Sequence, residues 1–241
     1  MPKRFTRTQM LFGADTMAKL AASRVAVFGM GGVGGYVVEA LARSGVGAID
    51  LVDNDVVSIT NINRQIVALE STIGKPKVEV ARERVLDINP QCHVTTHQLF
   101  YLPSTAGEID LKQFDYVVDC IDTVAAKMEL IRRCVASEVP ILVCMGAANK
   151  LNPMAFRVAD ISKTNNDPLA RVLRKRLRRE GIKHFKCVYS EELPLEPIEE
   201  AELTSDDHRR RFSTPASNAF VPAAEGLAAA AAVINDLIAQ H

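Results

Sequence analysis

The chain has 241 residues, 48% of them hydrophobic, and its 29 Lys and Arg balance 29 Asp and Glu. These values predict a soluble globular protein and argue against one that binds polyanions over its whole surface. The N-terminus lacks an apolar signal segment, and five cysteines without a C-x-x-C pair exclude a zinc ribbon, so we expect a cytoplasmic protein with no membrane partner.

Residues 1–22 predict a short helical arm with one apolar face. Arg7 projects from this arm, and the periodicity alone favours a solvated surface arginine. The apolar face consists of Met10, Leu11, Met17 and Leu20.

The stretch from Arg24 to Asp55 predicts a strand, a glycine turn, a helix and a second strand that ends in Asp53. Glycines in such a turn permit a tight bend, a close approach to pyrophosphate and close packing of helix on strand. The free N–H groups at the helix start favour a phosphate, and an acid at the end of the second strand can bind ribose hydroxyls. The predicted nucleotide-binding residues are Gly29, Gly31, Gly32, Gly34 and Asp53.

A polar segment follows the second strand, at the edge where parallel sheets bind ligands. A dehydrogenase needs only the first acid there, but this segment adds Asp55, Asn61, Arg64 and Gln65. The segment therefore favours a ligand with more phosphate charge than a dinucleotide carries.

Pro76 predicts the first turn of a further helix, which places Lys77 at the N-terminal end of that helix. A cation there opposes the helix dipole unless an anion is present. This position favours Lys77 as a phosphate ligand over an ordinary surface lysine.

Three more apolar segments predict strands, and the whole pattern predicts an α/β fold with a Rossmann-like, mostly parallel sheet flanked by helices. The second of them ends in Asp119 and Asp122, two carboxylates that could hold Mg²⁺. Asp122 could instead cap the next helix, and Asp119 could only close a turn. The three segments are His93 to Leu99, Phe114 to Asp122 and Val139 to Met145.

Isolated histidines and cysteines are interpreted as structural. His93 and His97 lie on one strand face without a third ligand nearby in sequence, and Cys187 is better explained as a small buried residue than as a nucleophile.

Residues 171–186 hold eight Lys or Arg and one acid, which predicts a basic helical insertion that binds a polyanion. The alternatives are a solubilising helix or a dimer contact to acids within residues 191–200. The chain then forms an Ala-rich helix from Ala223 to Ala239, too short in its apolar run to span a bilayer and predicted to pack in the fold. The candidate nucleic-acid-binding residues are Arg171, Arg174, Lys175, Arg178 and Arg179.

Four ordered motifs, GMGGVG, VDNDVVSITNINRQ, GKPK and VVDCIDT, resemble the adenylating fold of ubiquitin-activating enzymes and of the molybdopterin- and thiamine-pathway adenylyltransferases. The resemblance covers about residues 5–160 and implies ATP with Mg²⁺. It implies that Asp53 holds the ribose with Asp55 beside it, that Arg64 and Lys77 hold phosphates, and that Asn61 and Gln65 support the site. It further implies that Asp122 holds Mg²⁺ and that Arg7 reaches the ATP of the partner subunit in a homodimer.

The pattern D-P-L-A-x-x-L-R-x-x-L-R, followed by C-V-Y-S-E-E, resembles the branch of this family that acts on tRNA. That resemblance implies ATP-dependent dehydration of threonylcarbamoyladenosine beside the anticodon, through an acyl-adenylate and intramolecular ring closure. The paired C-x-x-C site and the thioester cysteine of the sulfur-transfer members are missing. A monovalent cation is a further candidate cofactor, and a sulfur-relay protein is a further candidate partner.

Two alternatives stay open: an adenylyltransferase that activates the C-terminus of a ubiquitin-like sulfur carrier, and an NAD-binding oxidoreductase or nucleotide sensor. In every case we expect a single domain over residues 1–241. Its nucleotide-binding half would span about residues 20–150, and its tRNA and dimer half about residues 151–241.

Overall fold

The structure is a computed structural model that describes residues 3–199 and 215–239. Within these ranges the chain forms a seven-stranded sheet in the order β3-β2-β1-β4-β5-β7-β6. Neighbouring strands are parallel, apart from the antiparallel pair β6 and β7. The strands are β1 Arg24–Phe28, β2 Ala48–Val52, β3 His93–His97, β4 Tyr116–Asp119, β5 Ile141–Cys144, β6 Phe156–Asp160 and β7 Lys186–Ser190. The predicted Rossmann-like fold is confirmed.

Helices cover both faces of the sheet, because successive side chains of each strand point to opposite sides. Val25 and Val27 of β1 pack into one core, and Ala26 and Phe28 pack into the other. The first core is closed by α2, α3, α4 and α7, and the second by α5 and α6. The helices are α1 Thr6–Phe12, α2 Ala14–Ala22, α3 Gly34–Ser44, α4 Lys77–Ile88, α5 Val124–Ala136, α6 Pro168–Arg178 and α7 Val221–Ala239.

The chain reverses its direction of strand addition between β1 and β4. From β1 the sheet grows outward through β2 and β3 on one side, and through β4 and β5 on the other. The loop after β1 leads to α3 on one face and the loop after β4 leads to α5 on the other, so a crevice for a ligand opens at the carboxyl ends of these adjacent strands. This topology places the glycine turn and the loop that carries Asp122 side by side.

The N-terminal arm differs from the prediction of a single apolar face. Gly13 separates α1 from α2, so of the four predicted residues only Met17 and Leu20 reach the core. Met10 and Leu11 are 82% and 78% exposed. The two halves of the arm thus present their apolar residues in different directions.

The second half of the chain also departs from the expected elements. The basic helix ends at Arg178, and Lys186 begins β7 instead of continuing the basic segment. Strands β6 and β7 were not predicted, because each has only five residues and carries charged or polar residues among its apolar ones. Residues 217–220 form the loop before α7, and the side-chain oxygen of Asn218 accepts the N–H of Val221, the first residue of that helix, at 2.9 Å.

Helix α7 has the length and apolar character of a membrane span, but half of its most apolar window is buried in the fold. It packs on α3 so closely that a Cβ built on Gly226 would collide with the carbonyl oxygen of Val33. The predicted role as a packing helix is confirmed.

Candidate active site

The glycine turn and the loop after β4 are in direct contact. Gly29 has a φ of +93°, and a Cβ built on it would lie 2.7 Å from the carbonyl oxygen of Cys120. A Cβ on Gly34 would collide with the carbonyl oxygen of Gly29. Neither position can hold a side chain without a shift of the backbone, so the turn stays tight and lets the start of α3 approach a phosphate closely.

Asp53, which directly follows β2, turns its carboxylate towards this turn. Its two oxygens accept the N–H groups of Met30 at 2.6 Å and of Asp55 at 2.7 Å. Burial raises the pKa of Asp53, while the charge of Lys77 and the two N–H groups oppose that shift. Asp53 therefore lies beside the glycine turn, with lone pairs left for the ribose hydroxyls that the family resemblance implies.

Lys77 is held by Asp55. Its Nζ lies 2.9 Å from Oδ2 of Asp55, and its side chain is 6% exposed against 58% for the acid. The backbone N–H of Lys77 also donates to the carbonyl oxygen of Asp55. Asp55 thus offsets a cation at the start of α4, which weakens the sequence argument that such a cation requires a bound phosphate.

Arg64 and Gln65 approach the glycine turn from the segment after Asp55. Arg64 Cγ lies 3.5 Å from a Cβ built on Gly32, and Gln65 Nε2 lies 4.0 Å from one built on Gly31. The guanidinium of Arg64 donates to the carbonyl oxygen of Thr60 at 2.9 Å. Gln65 Oε1 is buried without a hydrogen-bond partner in the described residues, and such a costly acceptor fits a donor group on a bound nucleotide.

Asn61 shapes the backbone of the segment that carries Arg64 and Gln65. Its side-chain oxygen accepts the N–H of Ser58 at 3.1 Å and closes the turn that leads to Arg64. This contact agrees with the supporting role implied for Asn61.

The two acids after β4 have different surroundings. Asp119 is fully buried, lies 3.2 Å from Lys127 and accepts the N–H of Ile121 at 3.0 Å, which agrees with the turn interpretation and engages the carboxylate inside the protein. Asp122 is exposed; Thr123 occupies the N-cap position of α5, and its hydroxyl donates to the Asp122 carboxylate at 3.3 Å.

The donor set fits Mg²⁺ only when phosphate oxygens take part. Asp122 supplies one carboxylate, and Mg²⁺ commonly takes one or two carboxylates together with phosphates and water. No cluster of three or more His, Cys, Asp or Glu that could hold a metal occurs in residues 3–199 and 215–239.

Arg7 is exposed on α1, far along the chain from the other site residues. Its neighbour Phe5 packs near Gly45, and Arg4 donates to the carbonyl oxygen of Ile88. Both contacts lie at the carboxyl ends of α3 and α4, whereas the glycine turn precedes α3, whose 11 residues span about 16 Å. The arm that carries Arg7 is thus anchored at the opposite end of α3 from the glycine turn.

The basic helix α6 presents one stripe of cations. Asp167 caps it by accepting the N–H of Ala170 at 2.8 Å, and its apolar side is buried through Leu173 and Leu177. Arg174 differs from the rest of the stripe, because its Nη1 donates to the carbonyl oxygen of Thr164 at 2.9 Å and fastens a turn. A shallow groove is lined by Arg171, Arg174, Lys175, Arg178 and Arg179.

The acids proposed as partners of α6 have other contacts. Glu191 pairs with Arg157 at 3.2 Å, and Glu192 accepts the N–H groups of Leu151 and Asn152. Residue 200 lies outside the described part of the chain.

Several polar residues of the interior were missed in the sequence. Asp50 pairs with Arg24 at 2.8 Å and with Nε2 of His97 at 3.0 Å, so His97 is a structural residue as predicted, but with a carboxylate partner. Glu225 is fully buried, and burial raises its pKa to about 7. Cys187 is the buried small residue that was predicted. Each of these groups is buried by residues that are distant in sequence. The local sequence pattern therefore gives no sign of their burial.

A Rossmann-like sheet with a glycine turn, an acid beside that turn and nearby cations defines a nucleotide-binding α/β protein. The chain belongs to the ThiF family, whose model matches residues 5–241. It is 44% identical over 243 residues to a tRNA threonylcarbamoyladenosine dehydratase of Bacillus subtilis, covering 99% of this chain and 96% of that protein.

Two further relatives differ in how much of the chain they match. The crystal structure of an Escherichia coli tRNA N6-threonylcarbamoyladenosine dehydratase in complex with ATP is 34% identical, with a TM-score of 0.86 over 99% of this chain and 95% of that one. A molybdopterin-synthase adenylyltransferase of Escherichia coli is 36% identical over 140 residues, 58% of this chain and 55% of that protein. The predicted family is confirmed.

Proposed function

We propose that this protein catalyses the ATP-dependent dehydration of threonylcarbamoyladenosine beside the anticodon of tRNA. The observation that carries the proposal is the full-length likeness to the Bacillus subtilis dehydratase, which includes α6 and β7. The molybdopterin-pathway relative, which represents the carrier-protein alternative, matches only 58% of the chain.

In the proposed reaction the substrate carboxylate attacks the α-phosphate of ATP, and pyrophosphate leaves. A nitrogen of the same side chain then attacks the activated carbonyl, loses its proton and closes a ring, and AMP leaves with the former carboxylate oxygen. The net change in the tRNA is the loss of one water. Intramolecular attack has effective molarities of about 10⁵ M or more, so a protein nucleophile is not required.

The residues of this chain bind and orient the nucleotide in this scheme. Asp53 holds the ribose, Gln65 offers its unpaired oxygen to the nucleotide, and the N–H groups at the start of α3 face the phosphates. Arg64 and Lys77 neutralise charge on the leaving pyrophosphate, which lowers the barrier because that charge grows in the transition state.

Cofactors and partners complete the proposal. Asp122 would hold Mg²⁺, which supplies further charge neutralisation at the phosphates. Arg7 would reach the site of the partner subunit in a homodimer located in the cytoplasm. A monovalent cation and a sulfur-relay protein remain candidates to which we assign no residues.

The reaction is tested by incubating the protein with ATP and tRNA that carries threonylcarbamoyladenosine. Mass spectrometry of the digested nucleosides should show loss of one water, together with stoichiometric AMP and pyrophosphate. ATP–pyrophosphate exchange supported by sulfur-carrier proteins, and unchanged nucleosides in the tRNA, would favour the carrier-protein alternative.

The choice of nucleotide separates the proposal from an NAD-dependent enzyme. Asp55, Arg64 and Lys77 add polar and charged groups that a dinucleotide site does not need. We expect calorimetry with Mg²⁺ to give a dissociation constant for ATP at least tenfold below that for NAD, or about 1.4 kcal/mol. Tighter binding of NAD than of ATP would reject the adenylating mechanism.

The groove of α6 should bind the tRNA backbone. The triple change Arg171→Glu, Lys175→Glu and Arg178→Glu should weaken tRNA binding by at least about 10²-fold, because each lost phosphate contact lowers the salt-dependent affinity. The slope of log affinity against log salt should fall by about 3, at roughly 0.9 per contact. Arg174 is left intact because it fastens the turn at Thr164.

Filter retention over a salt series measures this effect, and calorimetry should show unchanged ATP binding. The matched control reverses three exposed cations outside the groove, Lys163, Arg176 and Lys183, with the same change in net charge. Equal losses in both triple variants would mean that overall charge matters and the groove does not.

A further inference from the structure

Two buried lysines hold the carboxyl end of β5. Lys127 of α5 is fully buried, and its Nζ donates to the carbonyl oxygen of Cys144 at 2.6 Å. Lys150 is 3% exposed, and its Nζ donates to the carbonyl oxygen of Gly146 at 2.6 Å. The two ammonium groups thus bind carbonyls only two residues apart, yet they connect this segment to different parts of the molecule.

Lys127 connects β5 to the nucleotide side. Its second partner is Asp119, the last residue of β4, whose Oδ1 lies 3.2 Å away. The same oxygen accepts the N–H of Ile121 at 3.0 Å, so the ion pair holds the first turn of the loop between β4 and α5. Lys150 instead pairs at 3.4 Å with Asp167, the residue that caps α6.

The loop held by Lys127 forms one wall of the glycine turn. The carbonyl oxygen of Cys120 abuts Gly29, and Cβ of Cys120 lies 3.3 Å from a Cβ built on Gly34. Asp122 follows two residues later on the same loop. A shift of this loop would move the glycine turn and Asp122 together, because neither glycine has room to absorb it.

A buried charge at position 127 is costly and so needs a reason. The buried face of α5 otherwise carries Ala126, Met128, Leu130 and Ile131, and an apolar residue would pack there without desolvating a charge. Burial alone would lower the pKa of Lys127, but the Asp119 carboxylate raises that pKa above its usual value, while burial raises the pKa of Asp119 itself. Packing therefore does not account for this lysine.

We propose that Lys127 is a positioning residue for adenylation, whose ammonium group ties β4 to β5 and so sets the loop that carries Asp122 against the glycine turn. Lys127 does not touch the nucleotide in this role. The inference rests on the proposed function, because adenylation requires the loop between β4 and α5 to be held in place beside the phosphates.

The test compares Lys127→Met with Lys150→Met, because both changes remove a buried ammonium, one carbonyl bond and one ion pair. Both should lower the melting temperature, since each leaves a buried carboxylate unpaired. ATP affinity in the presence of Mg²⁺, measured by calorimetry, should fall at least about tenfold in Lys127→Met, the scale seen when supporting residues around a ligand site are lost. It should stay within about twofold in Lys150→Met.

The double variant Asp119→Asn with Lys127→Met separates positioning from stability. It leaves no unpaired charge, so its melting temperature should recover, while its ATP affinity should stay low because the tie to β5 is absent. Wild-type ATP affinity in the double variant would overturn the proposal, and so would an equal loss of ATP affinity in Lys150→Met. Wild-type protein that binds ATP but leaves the modified tRNA unchanged would reject the proposed function instead.

Discussion

Asp122→Asn should slow ATP-dependent pyrophosphate release with modified tRNA by at least about 10²-fold, the scale for losing one electrostatic stabiliser of a transition state. The side chain is exposed on a loop, and asparagine keeps an oxygen that can accept the hydroxyl of Thr123, so we expect the fold to survive the change. The melting temperature should accordingly stay within a few degrees of the wild-type value. Pyrophosphate release is followed by a coupled enzymatic assay, and circular dichroism gives the melting temperature.

The control is Asp87→Asn, which neutralises an exposed acid on α4 away from the nucleotide loops. It should leave the rate unchanged. A rate for Asp122→Asn within a few-fold of wild type would remove Asp122 from the Mg²⁺ site and leave it as a loop residue.

Arg7→Ala and Lys77→Ala should each abolish most activity, and an equal mixture of the two should regain up to about a quarter of the wild-type sites. Arg7 is remote from the glycine turn of its own chain, so we expect it to act on the partner subunit. Half of randomly paired dimers are hybrids, and one of the two sites in each hybrid keeps both residues. Steady-state rates of the mixture, measured after subunit exchange has been shown with two tagged chains, give the recovered fraction.

The matched control mixes Arg64→Ala with Lys77→Ala, two residues that lie near the same glycine turn in one chain. Each hybrid site then lacks one of them, so this mixture should stay inactive. Absence of recovery with Arg7→Ala despite verified exchange would contradict a role of Arg7 in the partner's site.

The sequence predicted best those features that depend on contacts within a few residues. The glycine turn, α3 and the second strand with Asp53 directly after it follow from steric demands and apolar period, and the structure has all of them. The third strand was predicted two residues too long, because the N–H of Leu99 turns back to the carbonyl oxygen of His97. Local periodicity does not register such a turn.

Features that depend on distant partners were not predictable in the same way. Asp50 and His97 meet across two strands although 47 residues separate them. Asp119 was correctly weighed as a turn residue, but its ion pair with Lys127 depends on the burial of both side chains. The chemistry of Asp122 and Arg64 stays a prediction, since their partners in the reaction are a nucleotide and a cation.

The position of α7 in the chain has a consequence during synthesis. This helix closes the core over α3 through the contact at Gly226, but it follows every strand of the sheet in sequence. A ribosome therefore exposes β1, α3 and β2 long before the helix that covers them exists. The nascent chain carries an open apolar face through most of translation, which makes it a client for chaperones that bind exposed apolar surface near the ribosomal exit.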